Sequence, residues 1–73
     1  MSTANLIKMV NQIALYFATE PDQQLAVAGV RNHLQLYWTP GMRKELLAWQ
    51  TAHPEAELHP LAQAAISGAG WEA

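Results

Sequence analysis

The chain contains no cysteine. Disulfides, zinc–thiolate sites and iron–sulfur ligation by its own side chains are therefore excluded. Positive charge is also scarce: four Lys and Arg stand against six Asp and Glu, for a formal net charge of −2. Nucleic-acid binders draw much of their affinity from phosphate neutralisation along a basic stripe. Four scattered cations cannot build one. The same shortage points away from anionic membrane surfaces. Long apolar runs are missing too. The opening "MSTANLIKMVNQIALYF" is broken by Lys8, Asn11 and Gln12 too often for a transmembrane span. It also lacks the cationic start, unbroken apolar stretch and small-residue cleavage site of an export signal. The cytoplasm is the expected compartment.

Catalytic patterns are absent as well. No glycine-rich phosphate loop follows a strand, because no strand pattern appears. Nothing places a hydroxyl, a base and an orienting group together, as nucleophilic catalysis requires. The expectation is a protein that is not an enzyme, with no catalytic, cofactor-binding or metal-binding residues of its own.

What the chain does have is apolar surface. Its 73 residues, 51% of them apolar, set one domain as the ceiling, spanning 1–73 with a tail over 67–73. A fold this small hides only about 60% of the surface of its unfolded chain. Some large side chains are therefore expected to stay outside.

Spacing predicts an all-α domain of three main helices plus a short C-terminal fourth. The first runs from about Thr3 to Ala18, with Leu6, Val10, Ile13 and Phe17 as its stripe. Ser2 or Thr3 can cap it. Pro21 ends it, suits the first turn of the next helix, and has Asp22 nearby to favour that helix's positive end. The second helix runs to about Tyr37 on Val27, Val30, Leu34 and Tyr37. Gly29 within it reflects either a close helix approach or simple tolerance. "WTPGM" sets the third start, with Thr39 as cap and Pro40 at the first helical position. Met42, Leu46 and Trp49 make that helix's face, and it ends near Thr51 or Ala52. "PLAQAAIS" forms the fourth, with Gly68 as its stop.

The candidate sites differ in weight. "HPEAELH" offers His53, Glu55, Glu57 and His59 as metal donors, but no ligand spacing matches, and a solvated acidic loop is the plainer reading. His33 reads first as a core-edge histidine, and only second as a catalytic or pH-sensing group. Asn11 and Gln12 either face water or place an amide at a contact with another helix end or subunit. The adjacent pairs Tyr16–Phe17 and Tyr37–Trp38 carry more. Helical neighbours diverge by about 100°, so one core cannot easily bury both members of a pair. Together with Trp49 and Trp71 they favour an exposed docking surface. Arg43 and Lys44 stand near the start of the third helix, where the helix dipole disfavours cations.

Three blocks resemble the small delta subunit of the cytoplasmic NAD-dependent formate dehydrogenases. "MVNQIALYFA" (9–18) is similar to the family's opening helix. "VRNHLQLYWTPGMRKELL" (30–47) resembles its central signature, with His33, Leu34, Tyr37, Trp38, Pro40, Met42 and Arg43 in place. "LHPLAQAAI" (58–66) resembles its closing helix. The blocks cover about half the chain in the family's order. The sequence departs at the turn, where Thr39 and Gly41 stand in place of the family's common Asp and Arg.

The resemblance implies an accessory subunit in a hetero-oligomer with the catalytic alpha subunit. It would support assembly or stability of the complex. Partner subunits would carry a molybdenum or tungsten bis-pterin centre, iron–sulfur clusters and FMN. Partner contacts are expected from Asn11, Gln12, Phe17, His33, Tyr37, Trp38, Pro40, Met42 and Arg43. Tyr37 and Trp38 would be the anchors and Arg43 the polar handle. The alternative implied role is a transient maturation factor that aids insertion of the bis-pterin cofactor.

Overall fold

Side-chain acceptors mark where the helices begin. In the computed structural model, which describes residues 2–53 and 58–67, the chain forms α1 (Thr3–Phe17), α2 (Gln23–Tyr37), α3 (Pro40–Ala52) and α4 (Pro60–Ser67). No strand occurs among the described residues. Ser2 Oγ accepts from the Asn5 N–H at 3.2 Å, and Thr39 Oγ1 from the Met42 N–H at 3.2 Å. Each oxygen satisfies one of the N–H groups that a helix start leaves without a partner. Asp22 is the cap of α2, accepting from the Gln24 and Leu25 N–H groups at 2.9 and 3.3 Å. Pro21 therefore precedes the helix and does not begin it. α1 stops at Phe17, with Ala18 as its C-cap, one residue short of the expected end.

The core takes Leu6, Val10 and Ala14 from α1, and Ala26, Val30 and Leu34 from α2. Leu46 of α3, Leu58, and Leu61, Ala62, Ala65 and Ile66 of α4 complete it with Trp38. α1 packs on all three other helices, and α2 also packs on α4. A fully buried Leu, Ile or Val contributes about 1.5–3 kcal/mol. No polar or charged side chain is buried among the described residues. On α1 the buried stripe runs through Ala14; Ile13, its expected member, is only half-buried. Ile13 and Phe17 instead turn toward the α2 side of the molecule.

Gly29 is explained by that turn. A Cβ at this position would lie 2.5 Å from two ring atoms of Phe17. The glycine thus makes room for the Phe17 ring against the α2 backbone, which is the close-approach reading.

Two arginines tie helix ends together. Arg31 donates from Nε to the Ala65 carbonyl at 2.9 Å and from a terminal nitrogen to the Ala64 carbonyl at 3.2 Å. These carbonyls lie at the C-terminal, negative end of α4, where a cation is favoured. Arg43 does the same for α2. Its Nη1 lies 2.8 Å from the Trp38 carbonyl, 3.3 Å from that of Gln35 and 3.4 Å from that of Leu34. The cation that sits awkwardly at the start of α3 therefore serves the end of α2.

Candidate functional site

A helix presents adjacent side chains on diverging faces, so paired aromatics must part. Tyr37 closes α2 and is 72% exposed, whereas Trp38 is 5% exposed. Trp38 continues the buried series Ala26, Val30 and Leu34 in steps of four, and Tyr37 falls beside that series. Trp38 is also the C-cap of α2, with an extended backbone, φ −90° and ψ 145°. Trp38 was expected to be an exposed anchor; the structure instead makes it part of the core. Tyr37 was expected on the α2 core stripe and is instead outside it.

On α1 the other pair divides similarly. Tyr16 is 73% exposed, and Phe17 is half-buried on Gly29. Their rings meet edge-on with centroids 5.0 Å apart.

Between the two tyrosines lies an open cleft of about 580 Å³. α1 lines it with Met9, Gln12, Ile13, Tyr16 and Phe17. His33, Tyr37 and Trp38 line it from α2 and its cap, and Met42 from the first turn of α3. The His33 and Tyr37 rings lie 4.8 Å apart, tilted by 48°. No lining residue is Asp, Glu, Lys or Arg.

Six of the nine expected contact residues meet here: Gln12, Phe17, His33, Tyr37, Trp38 and Met42. The other three lie elsewhere. Pro40 is exposed at the first position of α3. Arg43, the expected polar handle, is half-buried and hydrogen-bonded to the α2 carbonyls. Asn11 turns to α4, where its Oδ1 accepts from the His59 N–H at 2.9 Å. His59 Nδ1 accepts in turn from the Leu61 N–H at 3.1 Å. Asn11 thus places its amide at a neighbouring helix end, one of the two readings open from sequence. Gln12, one position on, is exposed.

Three cleft residues were not among the expected contacts: Met9, Ile13 and Tyr16. Their signal was available, since 9, 13 and 16 share one helical face with Phe17.

The metal candidate is only partly described, because Glu55 and Glu57 lie outside the described residues. His53 Nδ1 lies 2.9 Å from the Trp49 carbonyl, with its ring stacked on Trp49. Among the described residues no three His, Asp or Glu gather closely enough to hold an ion. No described helix is long and apolar enough to cross a membrane. Trp71 and the rest of 68–73 also lie outside the described residues.

No curated protein and no solved structure matches the chain. A family model does, over residues 5–66, a span that takes in the cleft, both arginine caps and most of all four helices. By that match the chain belongs to the NADH-dependent formate dehydrogenase delta subunit family, FdsD.

Proposed function

We propose that this chain is a non-catalytic accessory subunit that docks on the catalytic alpha subunit of the formate dehydrogenase through the Tyr16–Tyr37 cleft. There it supports assembly or stability of the complex. The observation that carries the reading is the cleft itself: an open volume of about 580 Å³, lined largely by apolar side chains, between two exposed tyrosines. Tyrosine offers large apolar area at low entropic cost and is enriched at binding hot spots. Membership of a subunit family supplies the reason for a partner.

On this reading the molybdenum or tungsten bis-pterin, iron–sulfur and FMN groups belong to partner subunits. The donor chemistry of this chain does not suit them. It has no thiolate for a cluster. No redox or hydride step is assigned to it.

Co-purification tests the proposal. A tagged chain is expected to bring down the catalytic subunit in fixed stoichiometry, and deletion of the chain is expected to lower the yield of active complex. Absence of the catalytic subunit from the pull-down, with full activity after deletion, would refute it. If the chain joins immature enzyme and is missing from the finished complex, it is a maturation factor and not a resident subunit.

A further inference from the structure

α4 is only eight residues long, yet it brings Leu61, Ala62, Ala65 and Ile66 to the core. A helix this short is marginal by itself and depends on how its ends are held. Arg31 closes the C-terminal end from α2. The other end is held around His59, the residue before Pro60.

His59 occupies the cap position. Its carbonyl accepts from the Gln63 N–H at 3.0 Å, the first bond of the helix. Its Nδ1 accepts from the Leu61 N–H at 3.1 Å, the part played by an oxygen at most helix starts. Ser2, Asp22 and Thr39 supply such oxygens to the three other helices. Those acceptors keep their form near neutral pH. An imidazole changes its own between about pH 5 and about pH 8.

The accepting role fixes the ring's chemistry. A nitrogen that accepts carries no proton, so the neutral ring holds its hydrogen on Nε2. A proton on Nδ1 would set one donor against another. It would also place a charge at the positive end of the α4 dipole. His53 is arranged the opposite way. Its Nδ1 lies 2.9 Å from the Trp49 carbonyl and therefore donates, at the C-terminal end of α3 where a cation is favoured. Protonation leaves the His53 cap intact and breaks that of His59.

Few other groups bear on the His59 ring. Asn11 and Leu15 of α1 share a surface hollow with it and Leu58. Asn11 bonds the His59 N–H and not the ring. The titratable side chain on that face of α1 is Lys8, one turn before Asn11, and its charge has the sign of a protonated ring. α4 carries no titratable side chain, and α2 faces it with Arg31 at the far end of the helix. No Asp or Glu among the described residues bonds the imidazole.

We propose that His59 is a proton-operated latch on α4: the neutral ring caps the helix, and the protonated ring releases its first turn. The unfolded chain takes up this proton more readily than the folded one. Stability from the cap is therefore present above the histidine range and lost as pH falls through it. The latch acts within the fold and does not depend on what the cleft docks.

The test uses the full chain at about pH 7.5 and about pH 5.5, on either side of the histidine midpoint. Nitrogen-15 NMR of the imidazoles at the higher pH is expected to show His59 in the Nε2–H tautomer and His53 in the Nδ1–H tautomer. His59→Asn supplies a capping side chain that does not titrate. In urea unfolding, the ratio of the wild-type folding constant to that of His59→Asn is expected to fall at least about threefold from the higher pH to the lower. The same fall is expected when both proteins carry His53→Gln. His59 in the Nδ1–H tautomer would overturn the proposal, and so would a ratio that falls by less than about threefold in either background. If His59→Asn does not fold, hydrogen exchange of the wild type takes its place. Protection of the Leu61 amide, relative to that of Val30 in the core, is then expected to fall at least about threefold, and a smaller fall would overturn the latch.

Discussion

The α4 side of the molecule and the cleft side are built differently. On the α4 side, polar side chains pin one element to another. Arg31 holds the α4 C-terminus, Asn11 holds the residue before its start, and Gln63 Nε2 donates to the Leu58 carbonyl at 2.8 Å. Each bond satisfies a backbone group that the core could not leave bare. On the cleft side the same helices present methionine, isoleucine and aromatic rings, while Gln12 and His33 make no side-chain hydrogen bond among the described residues and His33 packs its ring on Tyr37. Arg31, Asn11 and Gln63 spend their hydrogen bonds within the chain. Those of the cleft are left for something else. A small domain cannot bury everything: Tyr16 and Tyr37 are exposed at the cleft, and Leu15, Leu25 and Leu36 are exposed outside it.

The contrast can be broken by substitution, most strongly on the pinned side. Arg31→Ala removes the charge-assisted bonds to Ala64 and Ala65 and strips the carbonyl end of α4. Urea unfolding of the isolated chain is expected to show a loss of about 1.5–3 kcal/mol. A loss below about 0.5 kcal/mol would mean that α4 is held by apolar packing alone. Gly29→Ala acts between the two sides. The new methyl group meets the Phe17 ring and forces it outward into the cleft. Overpacking costs about 1–3 kcal/mol, against a helix-propensity gain of about 1 kcal/mol. The expected net effect is a destabilisation of up to about 2 kcal/mol, and a more stable variant would show that the ring yields freely. Tyr37→Ala should have the smallest effect on folding. An exposed residue away from the core is expected to change stability by no more than about 0.5 kcal/mol, read from the same unfolding curves. A larger loss would place Tyr37 in the fold and not at a docking rim.

Much of the fold was legible from sequence because its signals are local. Thr39 and Pro40 mark the start of α3, and Pro60 that of α4, whatever else surrounds them. Helical spacing picked out Leu6, Val10, Val30, Leu34 and Leu46, all buried. It failed where tertiary packing chose among neighbours. Ala14 is small enough for close helix contact and took the core place expected of Ile13. It failed again at the end of α2: periodicity placed Tyr37 on the stripe, but the buried series runs Ala26, Val30, Leu34 and Trp38 in steps of four, which leaves Tyr37 outside it. The role of Arg43 was illegible for another reason. Its partners are carbonyls on the preceding helix, a relation set by how α2 and α3 meet. The cleft itself was half visible: the aromatic pairs announced exposed surface, while Met9 and Ile13 gave no sign beyond their spacing.

Docking through the cleft is tested most directly by the reactivity of its two rim tyrosines. Hydroxyl-radical footprinting of the isolated chain and of the purified complex would compare Tyr16 and Tyr37 with Leu25 and Leu36, all four exposed in the chain alone. Both tyrosines are expected to be protected in the complex, with Leu25 and Leu36 left reactive. Tyrosines as reactive in the complex as in the isolated chain, with protection moved to the leucines, would place the interface on another face of the molecule.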